Sequence, residues 1–483
     1  MNKLVKSIKD CFRSFRDPMG SVAIIENRVF RLISPSHESA VLEFLENPFF
    51  LNQIANGNFP ITKIALDLPE ALNHIIHNDK LTSSLILQHE LIPFPIYPHE
   101  WTPSMLFDAG QFTIDLAEQA LTHGLTLKDA TPWNVLFSDG RPMFCDMLSF
   151  EAWMGSKIWL AYSQFQRTFV LPLYANKQHA WPVHSTFIDK RDGLDPSILV
   201  ATIKGWRRWA PFELQTIIFP TKLSRGSIVG NKITIEKVIS HQNVNYKLAE
   251  FVMRRSFKRL RGQLFDVLPN EKQRTKWSHY EDDLLHYSVE EHDQKLNFVR
   301  ESLLRSGKGR VLDIGANAGE YSIIAATQGN SVVATDFDIA ALDKLYIRVK
   351  AERLPITPVV FNIARPTPAV GWNNQEVDSF LTRAKGQFNV LMVLAILHHL
   401  IVTERVPLNA IVKLLYELEA KFLIIEWVSP NDLRFKQISK THDNLYANLT
   451  EDSFRIELEH NYSILERLQL RGGTRALYLC ERH

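Results

Sequence analysis

Cysteine is nearly absent. The chain of 483 residues has three, Cys11, Cys145 and Cys480, and none stands at metal-ligand spacing. That excludes a disulfide framework and a cysteine-held zinc, and it suits a reducing compartment. Long apolar runs are missing too. No stretch approaches the roughly 18–20 residues that span a bilayer, and the first residues lack the apolar core of a secretory signal. The expectation is a cytoplasmic chain with no transmembrane segment. Nor does charge of one sign dominate: 55 Lys and Arg face 53 Asp and Glu, a net charge of +2, so nucleic acid is not an expected partner. Glycine appears nowhere as Gly-x-Gly-x-x-Gly, the pattern a dinucleotide pyrophosphate requires.

The length calls for two or three domains. Residues 1–18 are basic with apolar residues at helical spacing. They read as a helix docked on its own protein, with a membrane-surface helix as the alternative. Ser21–Ser34 reads as a hairpin turning at Glu26-Asn27. A helix is expected over 38–57, a strand over 85–92 and a helix over 103–123 that stops at Gly124. Residues 151–250 are aromatic and helix-compatible, and most of their aromatics belong to a core. Trp206-Arg-Arg-Trp209 has a more exposed pattern. Basic residues crowd 253–276, read as a solvated linker face, with a basic phosphate-binding or RNA-binding patch as the alternative.

Leu127–Phe150 carries a spaced set of polar residues. Asp129 is followed five residues later by Asn134, and Asp146 follows a hairpin turning at Asp139-Gly140. This resembles the catalytic hairpin of the protein-kinase and aminoglycoside-phosphotransferase superfamily. The resemblance implies a base-like Asp129, with Asn134 and Asp146 holding the metal of Mg-ATP. Departures are plain. There is no Gly-rich phosphate loop, Arg31 stands where a lysine would, and Leu127-Lys128 replaces the usual histidine.

From residue 277 the pattern alternates helices, among them 279–305, 374–385 and 404–420, with strands, which predicts a doubly wound parallel sheet with its ligand at the strand C-termini. Val311-Leu-Asp-Ile-Gly-Ala-Asn-Ala-Gly-Glu-Tyr-Ser322 reads as a strand, a bend and a helix. Gly315 and Gly319 let the bend approach a ligand. Asp313 can receive an ammonium group, Asn317 can meet a carboxylate, and Asp336, ending the next strand, can bond two ribose hydroxyls. Together these resemble the S-adenosylmethionine site of class I methyltransferases, with a Rossmann-like seven-stranded fold over 277–483. The resemblance adds Asn362 as an adenine acceptor. It also puts His398 and His399 beside the transferring methyl group as candidate bases, and Glu426 on the substrate side, a buried structural carboxylate being the alternative. No Asn/Asp-Pro-Pro-Tyr/Phe occurs, which argues against adenine-N6 methylation.

The whole chain is similar to bacterial two-part methyltransferases, some associated with nodulation, that share Asp-Ala-Thr-Pro-Trp-Asn-Val and a later Asp-x-x-Ser-Phe-Glu. The expected architecture is a degenerate kinase-like α+β domain over 1–265, a basic linker over 266–276 and the methyltransferase domain over 277–483. The expected reaction is methyl transfer to an O or N atom of a small-molecule, glycan or lipid-linked acceptor that the first domain presents. The competing expectation is an ATP-dependent phosphotransferase whose C-terminal half senses a nucleotide.

Overall fold

The computed structural model describes residues 12–13, 16–70, 72, 85–222, 245–269, 289–439, 443–446 and 448–483. Residues 1–11 of the expected first helix, 270–276 of the linker and 279–288 of the helix before the large sheet lie outside the described residues.

The N-terminal half begins with an antiparallel sheet. Its strands are Phe12–Arg13 (β1), Gly20–Ile25 (β2), Arg28–Ile33 (β3), Thr62–Ile64 (β4) and Ile86–His89 (β5), in the order β1-β2-β3-β5-β4. The expected hairpin is there. Glu26 and Asn27 take φ of +52° and +57°, the two positive values a tight hairpin turn demands. Residues 12–13 differ from expectation. They pair with Ile24 and Ala23 as an edge strand rather than ending a helix, because ladder bonds to an open sheet edge outweigh a short amphipathic pattern.

Beyond the sheet, Thr102 caps the helix Pro103–Thr122 by accepting the Met105 N–H. Its buried stripe (Met105, Leu106, Ala109, Leu116, Ala117, Ala120) faces the core at helical period. Gly110 is needed where this helix meets the helix Tyr246–Asp266. A Cβ there would lie 3.1 Å from Leu264 and 3.2 Å from Phe169. Between them in the chain come the short pair Leu125–Leu127 (β6) with Phe150–Ala152 (β9), and the hairpin Val135–Ser138 (β7) with Arg141–Phe144 (β8).

The C-terminal half is a seven-stranded, doubly wound α/β sheet. Its strands are Arg310–Ile314 (β10), Ser331–Asp336 (β11), Ile356–Val360 (β12), Val390–Val393 (β13), Phe422–Val428 (β14), Tyr462–Gln469 (β15) and Arg475–Arg482 (β16). Their order is β12-β11-β10-β13-β14-β16-β15. The first five run parallel, while β16 inserts antiparallel between β14 and β15. The chain therefore winds one way from β10 to β12 and the other way from β13. Parallel strands sandwiched by helices read as continuous apolar runs, and all seven residues of β14 are buried, including Glu426.

The two halves share one apolar core. Asp108 accepts from Tyr346 Oη and Lys350 Nζ, both at 2.7 Å. Asp343 accepts the Ser104 N–H at 3.0 Å and its hydroxyl at 2.7 Å. Glu100, fully buried, is bonded by Arg383. Arg383 also donates to the Pro95 carbonyl at 2.6 Å and lies over the rings of Phe94 and Tyr97. A buried charge loses several kcal/mol when its partner is removed, so this contact orders the halves as one body.

Candidate active site

The switch in winding direction falls between β10 and β13, and a cavity of about 570 Å³ opens at the C-terminal ends of these strands. That is a cofactor-sized volume in the place where doubly wound sheets bind ligands. Every lining residue falls between His292 and His399, so no described residue of the N-terminal half lines it.

The bend after β10 forms one wall. Gly315 has φ +82°, and a Cβ there would come within 2.9 Å of Ile396. The Gly315 and Ala316 N–H groups both bond the Thr335 carbonyl, at 2.8 and 2.9 Å, which ties the bend to β11. Asn317 is left-handed at φ +50°, a conformation Asn tolerates better than most side chains. Its N–H donates to Asp336 Oδ2 at 2.8 Å, and the Asp338 N–H donates to Asp336 Oδ1 at 2.8 Å. A carboxylate offers about four acceptor positions, so Asp336 holds both loops and keeps capacity facing the cavity. Burial raises its pKa, and the two backbone donors work against that rise. Gly319, at φ +85°, does not line the cavity. A Cβ there would strike the Leu345 side chain, so this glycine serves helix packing rather than ligand approach.

Phe337 follows Asp336 and lines the cavity with its ring 53% exposed. Its neighbour Asp338 caps the next helix, accepting from the Ala340 and Ala341 N–H groups. Lys295 enters from the helix Val289–Ser306. It lies 4.9 Å over the Tyr321 ring and bonds Glu426 Oε2 at 2.6 Å. Sequence reasoning missed both residues. An aromatic directly after a strand-ending carboxylate, and a lysine in the apolar stripe of Phe298, Val299 and Leu303, were the available signals.

Besides Gly319, four expected site residues lie outside the lining. Asp313 is 1% exposed, does not line the cavity and accepts the Ser322 hydroxyl at 2.6 Å. Burial pushes its carboxyl up to about 7, the Asp336 charge adds to the shift, and the Ser322 bond opposes it. It fastens the following helix to β10. Asn362 accepts the Ala364 N–H at 2.9 Å and shapes the exit from β12; it does not line the cavity. His398 is 4% exposed and lies behind the wall, where burial holds its pKa well below the ordinary value.

Glu426 is fully buried and outside the lining. It accepts from Lys295, from the Ala395 N–H at 2.8 Å and from Arg475 at 3.3 Å. Burial alone would raise its pKa; Lys295 and Arg475 outweigh that and hold it at about 2. A carboxylate so committed is no proton acceptor. Its Ala395 bond supports a wall residue in the left-handed region at φ +54°, where a non-glycine residue needs support. Arg475 in turn takes Asp432 with both carboxylate oxygens, at 2.8 and 3.0 Å.

His399 does line the cavity. Burial lowers its pKa to about 4, with Arg434 and Arg475 adding to the effect. The ring is therefore neutral at pH 7 and offers a hydrogen-bond acceptor, while the same shift makes it a weak base. Of the nine residues expected at the methyl-donor site, the fold brings Gly315, Asn317, Asp336 and His399 together around one cavity.

The Asp129, Asn134 and Asp146 set occupies a separate place. Asp129 accepts from Gln164. Asn134 Nδ2 donates to the Asp129 carbonyl and the Ser149 hydroxyl, both at 3.1 Å. Asp146 accepts from Ser149 at 2.6 Å and from Arg31 Nη1 at 2.9 Å. Arg31 is buried, and its other bonds go to the Cys145 carbonyl and His89 Nε2. An arginine always donates, so His89 Nε2 must accept, and its Nδ1 proton goes to Thr62 Oγ1 at 2.8 Å. Burial lowers the His89 pKa to about 3, and the Arg31 charge contributes. A protein cation thus sits on the carboxylate expected to hold magnesium. Among the described residues, no group of three or more His, Cys, Asp or Glu could hold a metal ion. The Mg-ATP expectation has no support here.

No family model matches the chain. Nodulation protein NoeA of Rhizobium meliloti (strain 1021) is 25% identical over 475 residues, covering 97% of this chain and 95% of that protein. Among solved structures, the bifunctional kinase-methyltransferase WbdD is 16% identical with a TM-score of 0.31, covering 44% of this chain and 43% of its own. N-methyltransferase NodS from Bradyrhizobium japonicum WM9 is 15% identical with a TM-score of 0.31, covering 40% of this chain and 98% of its own. At such scores the fold assignment rests on this chain's own strand order.

Proposed function

We propose that the chain is an S-adenosylmethionine-dependent methyltransferase acting on an O or N atom of a small-molecule, glycan or lipid-linked acceptor. One observation carries this reading: the Gly315–Asn317 bend, Asp336 and Phe337 converge on one cavity at the switch point of the sheet. The donor set fits the cofactor. The remaining acceptor positions of Asp336 suit ribose hydroxyls, the exposed Phe337 ring offers a stacking face for adenine, and Gly315 leaves room where a Cβ would crowd the bend. The bound cofactor would supply an electrophilic methyl group on a sulfonium.

The protein's part is chiefly alignment. His399, neutral and at the wall, can accept a hydrogen bond from the attacking hydroxyl or amine and orient it. The Leu394–Ile396 segment shapes the acceptor side of the cavity, and Glu426 supports it from behind through Ala395.

We read the N-terminal half as a degenerate kinase-like domain. Supporting this are its five-stranded antiparallel sheet, the long helix Pro103–Thr122, and Asp129, Asn134 and Asp146 in order around one hairpin. Arg31 on Asp146 and the missing phosphate loop weigh against phosphotransfer. Calorimetry separates the readings. Binding of S-adenosylmethionine without binding of Mg-ATP supports the methyltransferase, and the reverse result overturns it.

A further inference from the structure

The segment Gly205–Trp209 is one short 3-10 turn that exposes two of the largest apolar side chains in the protein. Trp206 is 76% and Trp209 is 78% exposed. Hiding such rings is worth more than hiding any other side chain, and among the described residues both stay largely exposed. Lys204 and Arg208, both exposed, flank the pair. Phe219 (52% exposed) and exposed Lys222 follow on the next helical stretch. Over residues 196–222 the only acidic residue is Glu213, and it is buried and bonded to Tyr174.

The helix Tyr246–Asp266 extends this surface. It packs beside the stretch through a buried bond from Gln263 to Thr216 at 3.0 Å, with Arg259 reaching Gln215 at the surface at 3.0 Å. Its outer side adds Phe251 (57% exposed) with the Arg255 guanidinium 5.8 Å over its ring, and Lys258. The chain as a whole is close to neutral, so a cationic face with exposed aromatics is a local feature.

We propose that this face docks the protein on an anionic bilayer surface. Tryptophan rings settle at the headgroup level, where an apolar body and a polar N–H are both satisfied. Lysine and arginine beside them meet lipid phosphates while their stems cover apolar surface. Nucleic acid fits less well, because a near-neutral chain lacks the long-range field that such binding uses. The inference stands apart from the methyl-donor reading, since no residue of this face lines the cavity.

The test is co-sedimentation of the full chain with phosphatidylcholine vesicles containing or lacking phosphatidylglycerol, with a single-stranded RNA as a competing ligand. The protein should bind the anionic vesicles, and added salt should weaken binding. The pair Lys204→Glu and Arg208→Glu should lower affinity about five-fold or more per residue. Trp206→Ala with Trp209→Ala should abolish quenching of tryptophan fluorescence by brominated lipid. These positions are on the surface, so both pairs should keep the wild-type melting temperature. Failure to bind anionic vesicles, equal binding by both variants, or preference for RNA over vesicles would each overturn the proposal.

Discussion

Replacing Glu426 with glutamine keeps the shape of the side chain and removes its charge. The change falls on a group with no exposure that serves three donors at once. Glutamine has one acceptor oxygen and two N–H donors. Its oxygen can take the place of Oε2, which accepts from both Lys295 and the Ala395 N–H, but its amide then faces the Arg475 guanidinium. Arg475 still has Asp432. Lys295, at 2% exposure, loses the carboxylate that neutralises it. Orphaning a buried charge costs about 3–5 kcal/mol, which for a body of this size lowers Tm by roughly 3–5 °C. Calorimetric unfolding of Glu426→Gln, Lys295→Met and the double variant reads it directly. The double variant should recover at least half of the loss, because removing both members leaves no orphaned charge. A shift below about 1 kcal/mol for Glu426→Gln, or a double variant less stable than either single one, would refute the ionic account of the wall.

Three further outcomes follow from the same geometry. Asp313 prefers its protonated form in the folded state, with a folded pKa of about 7 against an ordinary 3.8. It therefore costs stability as pH rises from about 4 to 7, and Asp313→Asn should gain on wild type by about 2–4 kcal/mol between pH 5 and pH 8; thermal unfolding at both values would show no such gain if the group were exposed. His399, with a folded pKa of about 4 against an ordinary 6.5, should stay neutral above pH 5. Its ring-carbon shift, assigned with His399→Gln, should titrate near 4, and a midpoint near 6.5 would remove it from the buried wall. Arg31→Ala should destabilise the N-terminal half by about 3 kcal/mol, and magnesium should not raise the wild-type unfolding midpoint; a magnesium-dependent rise would contradict the internal cation.

Much of the C-terminal sheet could be read from the sequence because its strands are short apolar runs that end in polar punctuation. Arg310–Ile314 and Ser331–Asp336 stand where their patterns put them. Helix extents were harder. The segment expected as a helix over 374–385 shrinks to Phe380–Ala384, because Gly371, Asn373 and Asn374 take positive φ and turn the chain first. The helix expected from 404 starts at Leu408, after a π-helical turn over His399–Thr403 and behind Pro407. At the site, local spacing located Gly315, Asn317 and Asp336, which share one strand–bend–helix unit and the neighbouring strand. It could not tell which of two adjacent histidines faces the cavity, since that depends on how the chain leaves β13. Nor could it assign Glu426, whose partners Lys295 and Arg475 come from a helix before β10 and from the last strand. Long-range charge pairing leaves little trace in spacing. A cation within an apolar helical stripe was the one signal that the fold needed a buried carboxylate.

The most direct test of the central claim is calorimetric titration of the full chain with S-adenosylmethionine, repeated with Asp336→Ala. The account predicts one site per chain, with affinity about 10–100-fold weaker in the variant, which loses charge-assisted bonds to the cofactor and the anchor of the Asn317 loop. An absence of binding by the wild type, or equal affinity in the two proteins, would contradict it.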